Sequence, residues 1–256
     1  MRKVFHYDWH WDWNTGSGEM GNWGVHILDD VRNNVFLDQV ATPSAITAAG
    51  GRFAWNDAGN TPNVHFAVLE AGDLPVVVTL SNLPWKDSAV ELPGPKSGYI
   101  AYCSGGRLEG QRGSAKAFDS DGKLIREFDG DKQGGNIYHQ QNFIDAIRQH
   151  NPSMLAAPVQ VGHDSTSWCN LINIATRVPE QTGSASIESL PAKFGQQSTA
   201  SILQQLNAIV AANSAASANQ SLQLGPTLRY NAEYGQFMSE GGSFANGMLR
   251  REDREP

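Results

Sequence analysis

With 19 Lys and Arg against 26 Asp and Glu over 256 residues, the chain carries a net charge of −7 and a pI near 5.4. Phosphate binding needs clustered cations that this sequence does not show, so nucleic acid is excluded as a partner. No apolar run approaches the roughly 20 residues of a membrane span, and residues 1–6 lack a signal-peptide core, so a cytoplasmic location is expected.

Hydrophobic residues at 40% suffice for a core, and no linker divides the chain. One domain over 1–256 is therefore expected, with 215–256 as an extended tail. Cys103 and Cys169 form neither a disulfide framework nor a C-x-x-C pair and are expected to be buried thiols.

In residues 5–14, Phe5, Tyr7, Trp9, Trp11 and Trp13 alternate with His6, Asp8, His10, Asp12 and Asn14. Alternation predicts an extended, two-faced ribbon. Its aromatic side can stack on a sugar ring or pack beneath a sheet, which makes Trp9 and Trp11 candidate ligand residues. The other side, His10 included, offers imidazole and carboxylate to a ligand or to a divalent metal such as zinc.

Residues 18–35 then read as a helix. Met20, Trp23, Ile27, Leu28, Val31 and Val35 recur at three- and four-residue intervals and predict its buried face. Glu19, Asn22, His26, Asp29 or Asp30, and Asn33 line the other. Gly18, Gly21 and Gly24 each weaken a helix by roughly 1 kcal/mol, a cost accepted where a backbone or ligand comes close. His26 is the candidate base, Asn22 its orienting neighbour, and Glu19 or Asp30 the acid or second orienter; Trp23 is a candidate binding residue.

Beyond the helix, 43–53 predicts a strand, and 63–70 with 75–82 a hairpin, which puts His65 on the sheet face opposite Phe66, a candidate partner surface. After an irregular loop at 83–97, short strands are predicted at 98–104, 107–112, 115–119 and 124–128. Asp119-Ser120-Asp121-Gly122 reads as a hairpin turn; its carboxylates also resemble part of a calcium loop, so Asp119 and Asp121 are candidate metal ligands. Helices are predicted from Tyr138 to the Asn151-Pro152 stop, with Phe143, Ile144 and Ile147 as the stripe, from an Asp164 cap to Val178, and over 199–212. His163, just before the second of these, is a candidate binding residue. The elements predict an α+β fold: an open, mainly antiparallel sheet with helices on one face.

Several segments together resemble the Gfo/Idh/MocA oxidoreductases, in particular their planctomycete-like branch. They are Tyr7-Asp8-Trp9-His10-Trp11, Gly50-Gly51-Arg52-Phe53, Thr61-Pro62-Asn63, Asn142-Phe143-Ile144-Asp145-Ala146 and Gly162-His163. In that family a helix presents an aspartate and, four residues on, a histidine beside the substrate carbon; Asn22 and His26 fall on those positions. The resemblance implies the substrate and oligomerisation domain, an open sheet face that pairs subunits into a homo-oligomer, and a sugar-type substrate. The family's Glu-Lys-Pro segment does not occur. Gly16-Ser17-Gly18-Glu19-Met20-Gly21 matches G-x-G-x-x-G in letters, but its preceding segment alternates where a buried parallel strand runs continuously apolar.

No NAD(P) site is therefore expected in this chain, and hydrolysis is the reaction left to its acid–base groups. The first expectation is a nucleotide-independent hydrolase of small lactones, sugar or acyl-homoserine type, with a candidate divalent cation, calcium or zinc. The alternatives are the substrate half of an NAD(P)-dependent sugar oxidoreductase and a non-catalytic sugar-binding module.

Overall fold

In the computed structural model the described residues are 8–85, 92–130, 135–178, 190, 194–214, 221–239 and 241–250. They form an α+β protein with two antiparallel sheets and five α-helices. Residues 1–7 of the aromatic run, 86–91 of the proline-rich loop, Asp131, 215–220 and 251–256 lie outside them. The chain divides into two units: Met1–Val25, Thr42–Leu92 and Ser167–Pro256 make the first, His26–Ala41 and Pro93–Thr166 the second.

The first unit is built on a hairpin. Strands β1 (Ala45–Gly51), β2 (Val64–Ala71) and β3 (Leu74–Ser81) form over runs of small and β-branched apolar residues, and Gly72, at φ 54°, supplies the left-handed conformation of the tight turn between β2 and β3. Val64, Phe66 and Val68 share one face of β2 and enter a buried cluster with Leu206, Ile209 and Val210. Those three lie at i, i+3 and i+4 on helix Gln196–Asn213, and each fully buried side chain of this kind contributes about 1.5–3 kcal/mol.

The opposite face of β2 carries His65, which is fully buried. A Cβ at Gly50 of β1 would touch both His65 and Thr176 of helix Val159–Arg177. This face is thus covered within the chain at His65, which is not available there to a partner. The tail contributes to the same sheet: Leu228–Asn231 pairs with β1 and Gln236–Phe237 extends the edge.

In the second unit β4 (Tyr99–Cys103), β5 (Gly106–Gln111), β6 (Ser114–Asp119) and β7 (Leu124–Asp129) form a four-stranded meander close to the predicted strands. Lys116 and Glu127 pair at 2.9 Å across β6 and β7. Cys103 is exposed, against expectation, because it ends β4 at the turn into β5; Cys169 is buried. Here also are α1 (Val25–Asn34) beyond its first residue, α2 (Gly135–Arg148) and a 3-10 turn at Pro152–Met154. On α2 the predicted stripe Phe143, Ile144 and Ile147 is exposed, and Ala146 is the buried residue. A 3.6-residue period locates an apolar face but not what covers it.

Helix α3 (Val159–Arg177) starts before the expected Asp164 cap. The chain leaves Pro158 directly into the helix, with Val161 N–H donating to the Pro158 carbonyl. Asp164 is drawn inside by Arg32, whose Nη2 donates to it at 3.4 Å. No helix among the described residues is long and apolar enough to cross a membrane.

Candidate functional site

The aromatic run is not a ribbon. Asp8–Trp11 is a 3-10 turn followed by further turns. Local hydrogen bonds replace a strand ladder: Asp12 Oδ1 accepts from Asn14 N–H at 2.9 Å, and Thr15 Oγ1 donates to the Trp9 carbonyl at 2.6 Å. A turn brings alternate residues inward differently from a strand, so His10 is buried while Trp9 is 47% exposed. The segment is clamped by residues 52–61. Asn60 and Thr61 N–H both donate to the Trp11 carbonyl, and Asn60 Oδ1 accepts from Trp13 N–H.

Three expected site residues of the first unit converge. His10 Nε2 lies 3.3 Å from Glu19 Oε2, and Asn22 Nδ2 donates to the same oxygen at 3.2 Å. Both contacts fall on Oε2. Asn22, expected to orient His26, is thus engaged with Glu19.

Around His10 stand the indoles. The Trp11 ring is 4.5 Å from it and the Trp9 ring 6.0 Å, centre to centre. Trp55 meets Trp11 edge to face at 5.3 Å. The Arg52 guanidinium lies 5.0 Å from the Trp11 ring and 5.2 Å from the Trp55 ring, and a fork of bonds to Asp57 at 2.7 and 2.8 Å holds it there. The resulting arrangement offers apolar ring faces beside an oriented carboxylate, the pairing of surfaces that a polyhydroxylated ring presents.

Trp23 was expected in the buried face but is 43% exposed. A π-turn at Met20–Gly24 adds a residue to the turn and shifts the face, so Met20, Gly24, Leu28, Val31 and Arg32 are the buried positions.

His26 and Asp30 belong to the second unit, four residues apart on α1. Burial first, then the neighbouring Asp29 charge, raises the Asp30 carboxyl above its ordinary range, with Arg112 and His26 opposing. Asp30 Oδ2 is buried without a hydrogen bond among the described residues. Burial, and next the Asp30 charge, raises the Tyr99 phenol. Asp29 accepts a 2.5 Å bond from Ser165. His163, expected just before a helix, is inside α3 and exposed.

Asp119 and Asp121 sit at the β6–β7 turn, where Asp119 Oδ1 accepts from Asp121 N–H at 3.0 Å and Lys123 N–H at 2.8 Å. The Asp119 carboxylate closes the turn, as the hairpin reading has it. Among the described residues no group of three or more His, Cys, Asp and Glu side chains is placed to hold a metal.

The glycine-rich letters do not make a dinucleotide cradle. The residues before them turn instead of forming a strand. A Cβ at Gly16 would lie 2.5 Å from His10 Cα, and one at Gly18 would lie 3.0 Å from Thr61 Cβ. The two glycines are used for contacts inside the protein, where the fingerprint needs open backbone for a pyrophosphate. These residues do not fit a nicotinamide dinucleotide.

Sequence reasoning missed Arg52, Trp55 and Asp57, which lie in a turn-rich loop with no period to read. It also missed Arg32, a fully buried guanidinium. A signal existed there: Arg32 follows Leu28 by four residues, and an arginine on an apolar stripe points to a buried ion pair.

No protein-family model matches the chain, and no curated protein matches it. Among solved structures, the putative oxidoreductase yvaA from Bacillus subtilis, in a triclinic form, is similar with 14% identity and a TM-score of 0.45. The match covers 69% of this chain and 53% of that one, so the chain spans about half the length of that neighbour.

Proposed function

We propose that the first unit binds a sugar or its lactone, with Glu19 receiving a ligand hydroxyl, as the substrate half of a nicotinamide-dependent sugar oxidoreductase of Gfo/Idh/MocA type. The observation that carries the reading is the Glu19 carboxylate. Its Oε2 accepts from Asn22 Nδ2 and lies 3.3 Å from His10 Nε2, beside the Trp9, Trp11 and Trp55 rings. A carboxylate fixed this way accepts a hydroxyl without paying for its own ordering, and it can take that hydroxyl's proton. The indoles supply apolar faces for the ring carbons. Nucleotide chemistry is left to residues outside this site, and His26 with Asp30 is the second unit's acid–base pair. Saturation-transfer NMR with aldoses, polyols and aldonolactones tests the reading. Transfer to sugar ring protons that drops in Trp9→Ala supports it, and no transfer from any of the three classes refutes it.

A second reading rests on the same carboxylate. With no nucleotide required, Glu19 can deprotonate a water that attacks a lactone carbonyl, opening the ring to a hydroxy acid. A pH-stat assay on small lactones without nucleotide, repeated with EDTA and with added calcium or zinc, decides it. Acid release lost in Glu19→Gln selects the hydrolase; an inert parent protein removes it.

The sheet of the second unit is the surface we assign to pairing with another copy, since β7 is exposed along its whole length, Leu124, Ile125 and Phe128 included. Light scattering that reports a monomer at micromolar concentration overturns this assignment.

A further inference from the structure

We propose that Asn173 is a positioning residue for Glu19, anchoring through its bond to the Ser17 carbonyl the turn that delivers Glu19 to His10. The inference rests on Glu19 as the ligand-facing group of the first unit. Asn173 lies on α3 with 4% of its surface exposed, and its Nδ2 donates to Ser17 O at 2.8 Å across 156 residues of sequence. Ser17 lies in the short link between the turn at 13–15 and the helical residues that begin at Gly18, and its two neighbours are also held. Gly16 rests against the His10 backbone and Gly18, at φ 67°, against Thr61. Glu19 follows immediately, and its carboxylate meets His10 at 3.3 Å. Of the three holds, only the one from Asn173 is a side-chain hydrogen bond, so it can be removed without altering the sequence of the link itself.

Behind Asn173 stands His65 of β2, a fully buried imidazole whose charge is suppressed by burial, with its titration pushed down to about 4 and Asn173 opposing the shift. Neither ring nitrogen of His65 has an aligned hydrogen bond among the described residues, and neither does Asn173 Oδ1. The well-aligned bond of the carboxamide goes to Ser17, while its contact with the His65 ring is a weaker one. A side chain buried for packing alone would be apolar at this position, because an amide taken from water needs its partners.

The test uses the whole chain without ligand. His10 is 2% exposed, so its reaction with diethyl pyrocarbonate, followed by peptide mass spectrometry, reports the closed turn. Hydrogen exchange of the β1 and β2 amides reports the sheet behind it. Asn173→Leu removes the donor at similar volume, and Asn173→Asp keeps the shape but sets an acceptor against the Ser17 carbonyl. Both should speed His10 modification by roughly five- to tenfold, the range one lost hydrogen bond allows, and leave β1–β2 exchange unchanged. Asn173→Gln, which retains the donor, should preserve most of the shielding.

Unchanged His10 reactivity in both Leu and Asp variants overturns the proposal. So does a parallel loosening of β1 and β2, since that would make Asn173 a general packing residue. Because no sugar is present, failure of the sugar-binding reading leaves this outcome untouched, and the two fail separately.

Discussion

Removing Arg32 should unfold the second unit preferentially. Its guanidinium has no exposed surface. Nη1 donates to Ser165 Oγ at 2.7 Å and Val161 O at 3.0 Å, and Nε donates to Val40 O at 3.2 Å. Asp164 and Asp38 lie at 3.4 and 3.7 Å. Arg32→Ala leaves the Val161 and Val40 carbonyls, Ser165 Oγ and the part-buried Asp164 Oδ2 without the guanidinium's N–H groups, together with a cavity. Breaking a buried pair on one side costs about 3–5 kcal/mol, and the upper half of that range is discounted because Asp38 retains access to water. With a urea m-value of about 2 kcal/mol/M, the unfolding midpoint of this unit should fall by roughly 1.5–2 M. All seven tryptophans lie at 9, 11, 13, 23, 55, 85 and 168, in the first unit. Indole fluorescence is therefore the wrong probe, and hydrogen exchange of β4–β7 against urea is the right one. A midpoint shift below about 0.5 M, equivalent to about 1 kcal/mol at that slope, would show that Arg32 does not hold the unit together. The guanidinium's desolvation would then have cancelled its bonds.

Three further outcomes are expected. His65 titrates near 4 in the folded chain because burial disfavours its charge, against an unfolded value of about 6.5. The unfolded state thus binds the extra proton first. Stability is full above about 6.5 and falls as pH drops toward 4, by up to roughly 3 kcal/mol. In His65→Gln the urea midpoint of the first unit should lose most of this slope between pH 7 and 4.5, and an unaltered slope rejects the assignment. Gly16→Ala places a methyl group 2.5 Å from His10 Cα, so a loss of about 1–3 kcal/mol is expected from overpacking; a thermal melt unchanged from the parent contradicts it. Asp119→Ala removes the acceptor for two turn N–H groups and should cost about 1 kcal/mol, measured by exchange of the β6 and β7 amides. If calcium protected those amides in the parent, the turn reading would fail.

The hairpins and the meander were legible because alternating residues and turn chemistry, such as Gly72-Asp73 and Asp121-Gly122, are local signals. The start of α3 was missed because its apparent cap, Asp164, looks outward to Arg32 more than 130 residues away. Cys103 looked like core because a strand's sequence does not tell where the strand stops. The aromatic run misled more deeply: its two-residue period is real, yet Asp12, Asn14 and Thr15 bond their own backbone and close it into turns. Of the candidate site, the residue types were readable and the partners were not. His10, Glu19 and Asn22 all stood out as polar groups in aromatic or glycine-rich company. That Asn22 and His10 share one carboxylate oxygen depends on a turn fixed by Thr61 and Asn173, which no local pattern contains.

Sugar binding through Glu19 is measured by calorimetric titration of the parent chain and of Glu19→Gln with aldoses and aldonolactones. A charge-assisted bond from a ligand hydroxyl contributes about 1.5–3 kcal/mol, so the account predicts affinity for at least one of these classes that falls about 10- to 100-fold in Glu19→Gln. Binding that is equal in the two proteins would contradict it.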